Sequence, residues 1–211
     1  MAPLHRHQLA RLTPAGWSAI LARPWDAQAR ECLGHWAAQQ LPLVVTRQSH
    51  ETEIALGLPA PRRWDGRRLA LQVPRDAVAG FLAFAPLADV RYLLPPVAQG
   101  AVRTLLQGLD DCDATARVFG SYGWQAITGL EHVRPASDLD LLIAVKGTAH
   151  ADAVTHMLQA FDAATPRLDG ELVFDDGAAV AWREWAAWRA GRTRALLVKR
   201  LTGAHLAEAM P

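Results

Sequence analysis

The segment Ser137-Asp138-Leu139-Asp140-Leu141-Leu142-Ile143-Ala144-Val145 constrains the fold of this chain more than any other. Its apolar run reads as a buried strand, yet two aspartates stand at its entrance. Successive strand side chains point to opposite faces, so Asp138 and Asp140 share one face, with backbone positions about 6.5–7 Å apart. If the strand were simply core, two adjacent charges there would cost several kcal/mol unless a cation, a partner or solvent compensated. Carboxylates at this separation can converge on a pair of divalent cations about 3.5–4 Å apart.

Around this strand the chain reads as a domain in which strands and helices alternate. Pro86 and the pair Pro95-Pro96 interrupt regular structure, and a domain joint is expected near them. Beyond the joint, helices are expected at 97–109, 148–164 (capped by Thr148) and 181–190, with strands at 116–119, 138–145, 167–174 and 194–199. Before it, Thr13-Pro14 has the form of an N-cap followed by Pro at the first helical position. A longer helix is expected at 24–40 and strands at 42–47 and 67–73. The fold class is therefore α/β (α+β), with an N-terminal α/β module at 1–90 and a C-terminal domain built on a mixed sheet at 91–211.

Asp-x-Asp alone is weak, and the chain holds three other acidic pairs of that spacing, one of them Asp169-Gly170-Glu171. Asp111-Cys112-Asp113 and Glu51-Thr52-Glu53 enter no apolar strand and read as solvated loops. What distinguishes Asp138 and Asp140 is Gly120-Ser121, upstream at the end of a short apolar strand. Gly120 allows close backbone approach to a ligand. Ser121 starts a helix whose free N–H groups and positive dipole end favour a phosphate, and its hydroxyl adds a donor. A third carboxylate usually completes such a site as base or extra ligand. Arg167-Leu168-Asp169-Gly170-Glu171 offers two of equal parity. The apolar run after Glu171 favours it, while Asp169 before Gly170 also reads as a turn residue. Trp124 is a candidate for lining a nucleotide pocket, Ser137 flanks the acid pair, and Lys199 and Arg200 are candidates for pairing with phosphates.

Bulk properties narrow the substrate. A net charge of +1 over 211 residues lacks the basic surplus that gripping long nucleic acid demands. No nucleic acid polymer is expected as partner. Two cysteines, Cys32 and Cys112, are too few for a disulfide framework. The stretch 1–12 is polar, and no run approaches a membrane span, so no membrane is expected and the chain reads as cytoplasmic.

Gly-Ser, then Asp-x-Asp on a strand, then a carboxylate on a later strand resembles the DNA polymerase β-type nucleotidyltransferase superfamily. More closely, GSYGWQAITGL at 120–130, SDLDLL at 137–142, RLDGELVF at 167–174, AVAWREW at 179–185 and LLVKR at 196–200 resemble one family. It is that of the malonate decarboxylase holo-acyl-carrier-protein synthases, also called phosphoribosyl-dephospho-CoA transferases. PLVVTRQ at 42–48, ALGLPAP at 55–61 and RRLALQVPR at 67–75 fit as well, so the resemblance covers nearly the whole chain. It implies a C-terminal polymerase β-like domain. It further implies transfer of the phosphoribosyl-dephospho-CoA group from triphosphoribosyl-dephospho-CoA to a serine of the apo acyl-carrier subunit of malonate decarboxylase, with loss of pyrophosphate. By the same resemblance, Gly120 and Ser121 hold the triphosphate, and Asp138 and Asp140 bind Mg²⁺ (or Mn²⁺). The alternative is an ATP-dependent nucleotidyltransferase acting on a small molecule or a toxin-type protein partner.

Overall fold

A computed structural model of the chain describes residues 4–49 and 52–209. Glu51 of the Glu-Thr-Glu pair lies outside the described residues, as do the first three residues of the polar N-terminal stretch. The chain divides into two compact units: the residues up to Phe84 with Ile127–His132, and Ala85–Ala126 with the residues from Val133 onward.

In the first unit, alternation of apolar and polar residues builds an antiparallel sheet. Its strands are β1 (Leu9–Leu12), β2 (Leu43–Val45), β3 (Glu53–Pro59), β4 (Arg68–Pro74) and β5 (Val78–Leu82), in the order β4-β3-β2-β1-β5. Ile54, Leu56 and Leu58 of β3 and Leu69, Leu71 and Val73 of β4 are buried, whereas the intervening β4 residues are exposed. That is the period of two expected of a sheet with one packed face. Helix α1 (Pro14–Leu21) begins as expected, the Thr13 hydroxyl accepting from Gly16 N at 3.0 Å. Helix α2 (Ala27–Ala38) starts later than expected because Asp26, not Pro24, supplies the cap. Its carboxylate accepts from Ala29 N at 2.8 Å and is gripped by Arg67 through two further bonds of 2.8 Å.

The second unit contains α3 (Leu87–Val90), α4 (Gln99–Asp111), β6 (Ala116–Val118), α5 (Gly120–Thr128), β7 (Leu139–Val145), α6 (Thr148–Gln159), β8 (Leu168–Phe174), β9 (Ala179–Ala181), α7 (Trp182–Arg189), β10 (Leu196–Arg200) and β11 (Gly203–Ala207). The last two residues of α5 are counted with the first unit. The six strands lie in the order β11-β10-β9-β8-β7-β6. Only β7 and β8, joined through α6, run parallel; the other pairs are antiparallel, so the sheet is mixed, as expected. Thr148 is the first residue of α6 rather than its cap: Gly147, at φ +120°, occupies the cap position without a side-chain bond.

Leu139, Leu141, Ile143 and Val145 of β7 join Val102, Leu105 and Leu109 of α4 and Ala151, Val154 and Leu158 of α6 in one apolar core. Trp182 and Trp185 of α7 complete it. One face of the sheet is thus packed. The alternate β7 residues, Asp140, Leu142 and Ala144, stand on the other face and are partly or fully exposed. No helix among the described residues is long and apolar enough to cross a membrane.

Candidate active site on the acid-bearing face

Parallel pairing of β7 with β8 sets Asp140 directly beside Asp169 and Leu142 beside Glu171. Residues paired across adjacent strands point to the same side of a sheet. The open face therefore gathers Asp140, Asp169 and Glu171. Asp138 immediately precedes β7 and is near enough to act on Asp140 electrostatically. Asp169 lies within β8 and not in a turn. Gly170 is extended past Leu141 at φ +148°, and a Cβ there would come within 2.1 Å of the Leu141 carbonyl oxygen. Its glycine serves the close approach of two strands.

The acids differ in their surroundings. Burial, followed by the charges of Asp169 and Asp138, pushes the Asp140 carboxyl up to about 6. Its side chain makes no hydrogen bond or ion pair among the described residues. Asp138 is held the other way. Arg167 grips it with both arms, Nε donating to Oδ1 at 2.9 Å and Nη2 to Oδ2, and this lowers its pKa. The same Nη2 reaches Asp169 Oδ2 at 3.5 Å. Glu171 is buried, and Lys199 Nζ donates to its Oε1 at 2.8 Å. Arg200, the neighbour of Lys199, instead pairs with Asp176. Lys199 thus sits among the acids, whereas Arg200 is engaged elsewhere.

Gly120 lies against Asp140. Backbone pairing continues past β6, Phe119 N donating to Asp140 O at 3.0 Å. Gly120 has φ +59°, and a Cβ on it would meet Asp140 Oδ2 at 1.9 Å. Gly120→Ala should therefore both strain the backbone and displace the carboxylate. The expected outcome is a loss of transfer activity of about 100-fold, since a misplacement of about 1 Å costs that much. Steady-state kinetics on protein with intact far-UV circular dichroism checks it. Ser121 follows within the first turn of α5 and is partly exposed. The Ser137 hydroxyl closes the turn before β7, accepting from Arg134 N at 2.9 Å. Trp124 is buried, on the same helix as Ser121.

Arg167 is the residue that sequence reasoning missed. The signal was present as a cation two positions before Asp169 on one strand face, but nothing in the sequence shows that it spans two strands to Asp138. Arg183, whose Nη2 donates to Leu168 O at 2.8 Å while its guanidinium lies over the Trp182 ring, adds a weaker favourable charge. Among the described residues, no group of three or more His, Cys, Asp and Glu forms a ready-made cation cage. The donors nevertheless suit a hard divalent cation. Asp140 offers carboxylate oxygens with no cationic side chain bonded to them, beside two further carboxylates.

Sequence comparison identifies the chain as an enzyme of the transferase class. It belongs to the phosphoribosyl-dephospho-CoA transferase family: residues 5–84 match the family's MdcG N-terminal domain and residues 86–210 its C-terminal domain. A phosphoribosyl-dephospho-CoA transferase from Bradyrhizobium diazoefficiens is 38% identical over 86% of this chain and 82% of its own. One from Xanthomonas campestris pv. campestris is 36% identical over 95% and 92% of the two chains, and one from Pseudomonas putida 32% identical over 97% and 93%. No solved structure matches.

Proposed function

We propose that this enzyme moves the phosphoribosyl-dephospho-CoA group from its triphosphate precursor to a serine of the apo acyl-carrier subunit of malonate decarboxylase, on the face that bears Asp138, Asp140 and Asp169. The observation that carries this reading is Asp140. It is a half-buried carboxylate with a raised pKa, set against Gly120 on one side and Asp169 on the other.

In the proposed reaction the serine oxygen attacks the α-phosphorus, the bond to the bridging oxygen breaks, and pyrophosphate leaves in line. Gly120 lets the Asp140 carboxylate lie against the start of α5, where the polyphosphate is proposed to bind. The first N–H groups of α5 and the Ser121 hydroxyl supply donors to its oxygens. Asp138 and Asp140 would hold Mg²⁺ or Mn²⁺, which when bound supplies neutralisation of the phosphate charge. Asp169 is the better candidate for the third carboxylate. It is partly exposed and adjoins Asp140, whereas Glu171 is buried and engaged by Lys199. In this scheme Asp169 takes the serine proton, and the Lys199–Glu171 pair keeps the floor of the site in place.

The test is mass spectrometry of the apo carrier after incubation with enzyme, Mg²⁺ and triphosphoribosyl-dephospho-CoA. A carrier heavier by one phosphoribosyl-dephospho-CoA group, with one pyrophosphate released per carrier, is expected. Turnover of ATP with no change in carrier mass would instead support the alternative of a small-molecule or toxin-type nucleotidyltransferase.

A further inference from the structure

We infer that Arg167 is a resident counter-cation that exchanges partners during loading of the site: it leaves Asp138 when a divalent cation arrives and takes hold of the substrate's polyphosphate. The inference rests on the proposed use of Asp138 and Asp140 as cation ligands.

Three observations carry it. Arg167 engages both oxygens of Asp138 in a two-armed bond, which fills one lobe of each oxygen and sets a fixed positive charge on the side from which a cation would grip both. Its third contact, Nη2 to Asp169 at 3.5 Å, makes one guanidinium shared by two of the acids. And the Arg167 side chain is 60% exposed while Asp138 is 28% exposed, so the arginine lies on the solvent side of the pair. It can therefore swing outward without unpacking the core. A carboxylate cluster without metal needs a protein cation to offset its mutual repulsion, and Arg167 supplies it. Once a divalent ion takes over that charge, the guanidinium is left at the mouth of the site. Its planar fork suits phosphate as well as it suited carboxylate.

Two titrations on the full-length enzyme and its variants test the exchange. In the first, free Mn²⁺ is followed by electron paramagnetic resonance. Arg167→Gln is expected to bind Mn²⁺ about tenfold more tightly than the wild type, and Arg167→Lys, which keeps the charge but loses the fork, to fall between them. In the second, inorganic tripolyphosphate is titrated calorimetrically in the presence of Mn²⁺. Here both variants are expected to bind about tenfold more weakly than the wild type. Mn²⁺ affinity unchanged or reduced in Arg167→Gln would overturn the inference. An Arg167→Lys variant identical to the wild type would do so too, because charge alone would then suffice. Tighter Mn²⁺ with unaltered tripolyphosphate binding would overturn the exchange as well. Asp140→Asn separates this from the underlying reading. If it binds Mn²⁺ as the wild type does, the acid pair is not the cation site and the proposed function loses its metal ligands. If it loses Mn²⁺ while the Arg167 variants behave as wild type, only the exchange fails.

Discussion

Asp140→Asn should abolish carrier modification while making the metal-free protein more heat-stable above pH 6. The two effects have one cause. Asp140 carries a charge that burial and the neighbouring acids disfavour, raising its carboxyl from 3.8 to about 6. The folded protein therefore holds this proton more tightly than the unfolded chain does. As pH rises from about 4 to 6, the unfolded state has already released the proton and the folded state resists releasing it, so stability falls. The penalty is fully present above 6 and absent below about 4. A gap of that size corresponds to at most about 3 kcal/mol. Partial exposure reduces it to roughly 1–2 kcal/mol, or about 3–6 °C in the thermal midpoint of a chain this long. Asparagine removes the charge and should recover that amount at pH 8 in EDTA, and nothing at pH 4. Losing one group that stabilises developing charge costs about 100- to 1000-fold in turnover. Thermal melts across pH and the carrier mass assay check the two halves. A variant less stable than the wild type at pH 8 would show that the carboxylate is satisfied within the fold and is not reserved for a ligand.

Gly170→Ala should cause the largest loss of stability. A methyl group there would sit 2.1 Å from the Leu141 carbonyl oxygen and 2.8 Å from the Leu141 nitrogen, in backbone that L-residues rarely adopt. These obstacles are main-chain atoms of the paired strand, so no rotamer change relieves them. Either β8 moves away from β7 or the pairing of Leu141 with Gly170 breaks. Both Asp140 and Asp169 depend on that pairing for their juxtaposition. The expected cost exceeds about 3 kcal/mol, within the range in which single substitutions unfold marginal domains. Urea denaturation measures it, and transfer activity should vanish with the fold. A variant that melts like the wild type would mean that β7 and β8 do not approach as closely as described.

The sequence was most legible where hydrophobic period and chemistry agree. The apolar run 139–145, entered by two acids, forms β7, and the shared parity of Asp169 and Glu171 survives in β8. Gly120 stood out as a point of close approach to a ligand, and the group packed against it within the chain is the Asp140 carboxylate. Other elements gave weaker signals. Strand β3 contains Gly57 and ends at Pro59, residue types that strand interiors disfavour. Strand β11 exposes Leu206 at 73% and shows no buried alternation to reveal it. β1 and β9 are short strands, identifiable only through their partners. The ambiguity of Asp169 came from Gly170, since an acid followed by glycine reads as a turn. Only the opposing Leu141 backbone shows why glycine is required within a strand. Arg167 was hidden for a similar reason, because its partner Asp138 lies on a different strand segment.

In the proposed reaction polyphosphate and its cation meet at Asp140, between Gly120 and Asp169. Crystals soaked with Mn²⁺ and tripolyphosphate, recorded at a wavelength where manganese scatters anomalously, test it most directly. The expected result is an anomalous peak about 2.1 Å from an Asp140 oxygen, shared with Asp138 and with polyphosphate density running toward the first turn of α5. Manganese and polyphosphate ordered elsewhere on the protein, with Asp140 bare and Arg167 still on Asp138, would contradict it.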